Sequence, residues 1–175
     1  VQAFMISAQQ VAGVIGDPRV QAVSLTGSEE AGRRVAALAG AHLKKTVLEL
    51  GGSDPFIVLE DADLDLTVSQ AVTARFLNAG QSCIAAKRFI VVEAIAEPFL
   101  ARFTETVKAL QPGDPEDALT TLAPLARLDL RDALHRQVTE SIAAGAVARI
   151  GGQPLPGAGA FYAPSILDRV APGMP

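Results

Sequence analysis

Short apolar runs alternate with longer helical patterns along this chain, and this alternation constrains its fold more than any other feature. Runs with the length of β-strands occur at residues 20–25, 46–50, 56–59 and 89–92. The segments between them are longer and carry apolar residues at helical spacing. The pattern predicts an α/β architecture, with two further strands near its end, at residues 147–150 and 166–170.

Five segments have the pattern of helices, and capping residues set their boundaries. We predict helices over residues 7–15, 29–39, 64–77, 98–110 and 128–144. Gly40 and Gly145 are expected to close the helices that they follow, because glycine adopts the left-handed conformation at little cost. Pro98 is expected in the first turn of its helix, where the missing N–H does no harm. The β-branched run at residues 89–92 predicts a strand buried on both faces.

The composition excludes several classes of protein. Hydrophobic residues make up 49% of the 175 residues and charged residues 19%, which suffices for a sizeable core. The net charge is −4 and no basic tract occurs, so we predict no nucleic-acid partner. No run of 18 apolar residues is present, so we predict no membrane span. A single cysteine cannot form an internal disulfide, which suits a reducing compartment and predicts a cytoplasmic location.

Cys83 is the first candidate for chemistry. It lies between a helical pattern and a strand, and Gly80 lets the backbone turn tightly ahead of the thiol. A thiol attacks only as the thiolate, which needs backbone dipoles or a neighbouring base. The alternative on this segment alone is a small buried hydrophobic side chain. Arg75, on the helix leading to Cys83, either meets an anionic substrate or lies on the helix surface.

Glu49 is the second candidate. It stands between apolar neighbours at the end of a predicted strand, directly before Leu50 and the glycines Gly51 and Gly52. Ends of strands followed by glycines are where α/β sheets open into ligand crevices. Burial there would raise the pKa of the carboxyl towards the range of a general base. The alternative is an edge glutamate that points to water.

A possible phosphate site begins at Gly27, where a predicted strand ends and a helix starts with Ser28. Backbone amides at the beginning of a helix bind phosphate groups. The segment is neither a P-loop nor a G-x-G-x-x-G fingerprint, because the required lysine and glycines are missing. The alternative for Ser28 is a plain helix cap.

Other candidates carry less weight. Residues 60–65 resemble the start of a calcium loop, but Leu66 and Val72 stand where an EF-hand needs glycine and glutamate. His42 and His135 have charged neighbours and are interpreted as surface residues. Two histidines and one cysteine predict no zinc site.

Taken together, three motifs resemble the aldehyde dehydrogenase superfamily. They are residues 24–28 (Ser-Leu-Thr-Gly-Ser) with Gly32, residues 48–55 (Leu-Glu-Leu-Gly-Gly-Ser-Asp-Pro) and residues 78–83 (Asn-Ala-Gly-Gln-Ser-Cys). The separation of 34 positions between Glu49 and Cys83 also matches that family. Residues 83–91 look most like its succinate-semialdehyde dehydrogenase branch.

The resemblance implies a parallel-sheet aldehyde dehydrogenase fold and a mechanism. Residues 1–50 are expected to form the C-terminal part of the NAD(P)-binding domain, and residues 51–175 a truncated catalytic domain. Cys83 is expected to attack the aldehyde, so that a thiohemiacetal and then a thioester form while hydride leaves for the nicotinamide of NAD or NADP. Glu49 is expected to activate the hydrolytic water, and the Cys83 N–H to supply half of an oxyanion hole. Asn78 is not expected to supply the other half.

The resemblance also implies cofactor contacts. Gly27 and Ser28 are expected to bind the pyrophosphate, and Gly32 to let the helix pack close to its strand. Leu50 and Gly51 are expected beside the nicotinamide.

We further expect the chain to be a piece of a longer protein, since the family's oxyanion asparagine and oligomerisation hairpin are missing from it. The piece alone is expected to lack dehydrogenase activity, and the full-length protein to be a homodimer or homotetramer acting on a small-molecule aldehyde. Three alternatives remain open: another aldehyde than succinate semialdehyde, a cysteine hydrolase or acyltransferase that uses Cys83 with a histidine, and a non-catalytic module.

Overall fold

A computed structural model describes residues 2–175. The chain divides into two compact units, Val1–Gly52 and Ser53–Pro175. The helices are α1 Val11–Gly16, α2 Glu29–Ala41, α3 Leu64–Phe76, α4 Glu93–Lys108 and α5 Leu128–Ala143, and short 3₁₀ turns occur at Ala8–Gln10 and Leu77–Gly80. The strands are β1 Ala22–Thr26, β2 Lys45–Glu49, β3 Asp54–Val58, β4 Ala86–Val91, β5 Val147–Ile150 and β6 Ile166–Asp168. None of the helices within residues 2–175 combines the length and apolarity needed to cross a bilayer.

The first unit is built around one βαβ segment. Strands β1 and β2 pair in parallel, with Thr26 opposite Glu49 at their carboxyl ends, and α2 connects them. A small core of Ile15, Val35 and Ala39 lies between the helices and the strands. The parallel pairing follows from the helical crossover, because antiparallel neighbours need only a short turn.

The end of α2 differs from the prediction. The helix continues through Gly40, and Leu43 instead adopts the left-handed conformation with φ 55°. The amide of Leu43 donates to the Gly40 carbonyl and the amide of Lys44 to the Ala39 carbonyl, which is the Schellman pattern. The prediction that Gly40 closes the helix was wrong, because the left-handed residue that ends the helix is Leu43, three positions later.

The second unit begins with another βαβ segment. Strands β3 and β4 pair in parallel around α3, which together with the first unit confirms the predicted α/β fold with parallel sheets. The main core lies between this sheet and the helices α3 and α4, and it consists of Val58, Val68, Ala71, Phe99, Phe103, Val107 and Ile166.

Strand β4 is covered on one face, not on both as predicted. Phe89 packs on the core and its ring centroid lies 5.0 Å from that of Phe103. Ile90, which points to the opposite face, is 50% exposed. Alternate side chains of a strand point to opposite faces, and within residues 2–175 the helices cover only the face that bears Phe89.

Helix α4 begins five residues earlier than predicted, at Glu93, so Pro98 lies inside it. Proline cannot donate to the carbonyl four residues before it, here that of Ala94. Pro98 is exposed, whereas Phe99 and Phe103 are buried. The aromatic packing outweighs the missing hydrogen bond, and the first-turn prediction for Pro98 was wrong.

The remaining elements follow the predicted order. Helix α5 ends at a Schellman motif in which Gly145 has φ 113°, as predicted. Strands β5 and β6 pair antiparallel, unlike the two parallel pairs. Residues 151–159 form an irregular loop.

Candidate active site

Cys83 lies on a loop that reverses the chain between α3 and β4. Three consecutive residues there are left-handed: Asn78 with φ 54°, Ala79 with φ 52° and Gly80 with φ 75°. Left-handed backbone is common for glycine and asparagine but strained for alanine. The reversal leaves the Cys83 side chain exposed. The alternative interpretation of Cys83 as a buried hydrophobic residue is therefore wrong.

Side-chain amides hold this loop in shape. The Asn78 side chain donates to the Gln81 carbonyl and the Gln81 side chain to the Asn78 carbonyl, each over 3.2 Å. Gln81 Oε1 also accepts from the Ala126 amide over 2.9 Å. Gln81 thus joins the cysteine loop to the segment before α5. Sequence reasoning assigned no role to Gln81, although its place two residues before the thiol was a usable signal.

Arg75 is the second support of the loop, and the interpretation of Arg75 as a helix-surface residue was wrong. Its Nη1 donates to the Ala86 carbonyl over 2.7 Å and its Nη2 to the Gly80 carbonyl over 2.5 Å. The side chain is half-buried, and this desolvation lowers the pKa of the guanidinium. Arg75 is thus engaged with backbone inside the unit and is not a residue of the helix surface.

The thiol of Cys83 has no histidine partner that the structure identifies. His135 is half-buried rather than on the surface, and its Nδ1 lies 3.1 Å from the Tyr162 hydroxyl. This contact engages the imidazole with the tyrosine. The predicted surface position of His135 was wrong, because α5 packs this residue against the loop that carries Tyr162.

Glu49 is the last residue of β2, and its side chain is exposed within the first unit. Within the described chain the carboxyl is not buried, which agrees with the alternative of an edge glutamate that points to water. The reason is geometric: Val47 is 61% exposed on the same face of the strand, while Leu48 packs on the core. The Glu49 carbonyl accepts from the Gly27 amide over 2.9 Å, which joins the two motifs of this unit.

Helix α2 begins with a side-chain cap, and its first backbone amides have no hydrogen-bond acceptor within the helix. Ser28 is the N-cap, and its Oγ accepts from the Ala31 amide over 3.2 Å. The amides of Ser28, Glu29 and Glu30 precede the first helical hydrogen bond. The carboxylates of Glu29 and Glu30 pair with arginines one turn along the helix, over 3.1 and 2.8 Å. These pairs draw the acidic side chains along the helix, away from its first amides.

Gly32 lies against Leu50. A Cβ at Gly32 would stand 2.7 Å from Leu50 Cδ2 and 2.8 Å from Cδ1, closer than van der Waals contact allows. Glycine therefore lets α2 pack closely against the residue that follows Glu49, as predicted. Gly51 has open space around it, since no atom lies within 4 Å of a Cβ built there.

Nothing in residues 2–175 forms a group of three or more histidine, cysteine, aspartate or glutamate side chains able to hold a metal ion. Each unit carries one of the two candidate groups: the second unit has the exposed thiol of Cys83, and the first has the exposed carboxylate of Glu49 at the carboxyl end of a parallel strand.

Comparison with known proteins identifies the class. The chain belongs to the aldehyde dehydrogenase family, which it matches over residues 5–175, and the family predicted from the three motifs is confirmed.

Its similarity to individual members is high but covers part of their length. It is 52% identical over 173 residues to succinate-semialdehyde dehydrogenase (NADP+) 1 of Mycobacterium ulcerans (strain Agy99), covering 99% of this chain and 38% of that protein. It is 54% identical over 164 residues to succinate semialdehyde dehydrogenase (NAD(P)+) Sad of Escherichia coli (strain K12), covering 94% of this chain and 36% of that protein.

A solved structure agrees with these relatives. The chain is similar to succinic semialdehyde dehydrogenase from Streptococcus pyogenes in complex with NADP+, with a TM-score of 0.93 and 41% identity. The match covers 97% of this chain and 37% of that structure. The chain thus spans little more than a third of the length of the relatives it matches.

Proposed function

We propose that this chain carries the thiol nucleophile and the general base of an NAD(P)-dependent aldehyde dehydrogenase that oxidises succinate semialdehyde. The observation that carries the proposal is that Cys83 is exposed on the hydrogen-bonded loop between α3 and β4, in a member of the aldehyde dehydrogenase family. The substrate rests on relatives named for succinate semialdehyde at 52% and 54% identity. Another aldehyde remains the alternative within the family.

The thiol does the first chemistry. Cys83 attacks the aldehyde carbon as the thiolate, which forms a carbon–sulfur bond and places the negative charge on the carbonyl oxygen. The backbone N–H of Cys83 donates to that oxygen. Within residues 2–175 this amide makes no other hydrogen bond, so it remains available for the task.

A bound NAD(P) would supply the hydride acceptor for the former aldehyde carbon, and Cys83 would then hold the acyl group as a thioester. Glu49 then takes a proton from water while the water oxygen attacks the thioester carbon. The carbon–sulfur bond breaks, the acid leaves, and the proton on Glu49 returns to solvent. Glu49 belongs to the first unit and Cys83 to the second, so the reaction requires both units.

The residues at the start of α2 fit a dinucleotide phosphate. Gly27 has only ordinary contact distances around a built Cβ, the nearest being 3.8 Å, so a ligand can approach its backbone. The amides of Ser28 and the next two residues lie at the positive end of the helix. Leu50 and Gly51 follow the base and form the proposed surface beside the nicotinamide, and Gly32 keeps Leu50 in place.

The 175-residue chain by itself is expected to have no turnover, because it spans 36–38% of the relatives and cannot supply every group of the reaction. For the whole protein we propose a homodimer or homotetramer in the cytoplasm; the single cysteine of these 175 residues suits a reducing compartment. NAD(P)H production by the purified chain with succinate semialdehyde tests the expected lack of turnover, and clear turnover overturns it.

A chimera tests the function directly. The chain replaces the aligned segment of the E. coli relative, with which it shares 54% of 164 residues. We expect NAD(P)H production with succinate semialdehyde. Cys83→Ala should abolish the first equivalent of NAD(P)H. Glu49→Gln should preserve that first equivalent but slow steady turnover by about 10²–10⁴-fold, since a general base contributes that much.

The control is His135→Ala, which should leave both phases unchanged. A cysteine hydrolase would give the opposite result: thioester hydrolysis that survives Glu49→Gln and disappears with the histidine change. A folded chimera without NAD(P)H production would refute the dehydrogenase proposal for this chain.

A further inference from the structure

The guanidinium of Arg75 bridges two carbonyls that flank the cysteine symmetrically. Gly80 lies three positions before Cys83 and Ala86 three positions after it. Arg75 reaches both, over 2.5 and 2.7 Å, from the last turn of α3. One side chain therefore closes the segment from Gly80 to Ala86 into a loop with a fixed span.

Several features distinguish this contact from an ordinary surface arginine. The side chain is half-buried, and no carboxylate within residues 2–175 pairs with it. A charge removed from water without a counter-ion needs strong hydrogen-bond acceptors, and the two carbonyls supply them. The planar fork of arginine suits two acceptors at once, whereas a lysine ammonium acts as a point charge.

The bridge also explains the glycine of the Gly-Gln-Ser-Cys motif. A Cβ at Gly80 would stand 1.9 Å from Arg75 Nη2, so any side chain there expels the guanidinium. The left-handed φ of 75° at Gly80 is a second reason for glycine. The absence of a side chain at Gly80 thus leaves the space that the Arg75 guanidinium occupies.

We infer that Arg75 is a positioning residue for Cys83: by bridging the Gly80 and Ala86 carbonyls it holds the thiol and the Cys83 amide in the attacking geometry. The bridge itself does not depend on the proposed function; its role in positioning Cys83 for attack does. The bridge acts through backbone and touches neither substrate nor cofactor.

Hydrogen–deuterium exchange of the 175-residue chain tests the bridge without any activity. In Arg75→Ala, amides in peptides covering residues 77–87 should exchange roughly tenfold faster or more, because the loop loses two hydrogen bonds from a charged donor. Peptides of α5 should exchange as before. The matched control is Arg102→Ala, which removes an exposed arginine that pairs with Asp65 on α3 and should leave residues 77–87 unchanged.

Chemical rescue separates the bridge from a general loss of packing. Ethylguanidinium added to Arg75→Ala should restore the slow exchange at residues 77–87, whereas ethylammonium, which has the same charge but no fork, should not. Equal rescue by both cations, or faster exchange throughout the second unit, overturns the inference.

The chimera supplies the functional readout. Arg75→Ala should slow the first NAD(P)H equivalent at least tenfold, with unchanged affinity for the cofactor, and ethylguanidinium should restore the rate. An unchanged first-equivalent rate together with loosened exchange refutes the positioning role but leaves the proposed function intact. A parent chimera that produces no NAD(P)H refutes the proposed function, and the exchange experiment then decides the bridge alone.

Discussion

Gly80→Ala is expected to be severe because it combines backbone strain with the loss of the Arg75 bridge. A left-handed alanine costs about 1–2 kcal/mol. The new Cβ would lie 1.9 Å from Arg75 Nη2 and 2.7 Å from Cζ, so the guanidinium must leave both carbonyls. We take about 1 kcal/mol for each of the two lost hydrogen bonds, because the half-buried Arg75 guanidinium regains hydrogen bonds to water once it is expelled. The second unit should lose about 3–4 kcal/mol.

Urea unfolding followed by tyrosine fluorescence measures this loss in the right unit. The chain has no tryptophan and a single tyrosine, Tyr162, which is buried in the second unit. Tyrosine emission therefore reports on that unit, while far-ultraviolet circular dichroism reports on both. Comparing the two signals shows whether the units unfold together, which decides whether a single free energy of unfolding is defined.

A double-mutant cycle isolates the clash. In an Arg75→Ala background, Gly80→Ala should cost only the strain of about 1–2 kcal/mol, which leaves a coupling energy of about 2 kcal/mol. Ala79→Gly is the matched control for strain, since Ala79 is already left-handed with φ 52° and should gain up to about 1 kcal/mol. Equal costs of Gly80→Ala with and without Arg75 would show that the guanidinium does not occupy this space.

Two further predictions concern other parts of the chain. Leu43→Gly should stabilise the first unit by about 1 kcal/mol, because Leu43 is left-handed and 96% exposed, whereas Leu43→Ala should gain nothing; urea unfolding by circular dichroism checks both. The hydrogen bond from Arg149 lowers the pKa of Asp168 below its ordinary value of 3.8. The stability advantage over Asp168→Asn should therefore be full above that value and disappear as the pH falls through the lower folded pKa, as thermal unfolding between pH 2 and 6 measures.

Local signals in the sequence were sufficient where one residue decides the structure. Gly145 ends α5 with φ 113° because few other residues accept that conformation, and the pattern predicted this. The alternation of strand and helix lengths predicted both βαβ segments, since a parallel pair requires a long crossover. The motifs around Cys83 and Glu49 predicted the family, which the match over residues 5–175 confirms.

Packing decided the positions where the sequence prediction failed. Pro98 is a strong local signal for a first turn, yet α4 extends past it because Phe99 and Phe103 bury their rings in the core. The role of Arg75 was also beyond local reasoning. Its partners are carbonyl oxygens, which every residue carries, so no side chain in the sequence marks them as acceptors. Gly80 was the residue in the sequence that could have indicated this contact. Its role is clear only in the fold, where a side chain at position 80 would collide with the Arg75 guanidinium.

The main chain around Glu49 is anchored on both sides while its carboxylate stays exposed. The Glu49 carbonyl accepts from the Gly27 amide, and the next side chain, Leu50, fills the space left by Gly32 on α2. The turn that begins the proposed phosphate site is therefore tied to the proposed base by one hydrogen bond at the carboxyl end of a parallel pair. A base that must take a proton from water needs a fixed backbone and an accessible side chain. The hydrogen bond from Gly27 and the packing of Leu50 fix the backbone, and both leave the Glu49 carboxylate accessible.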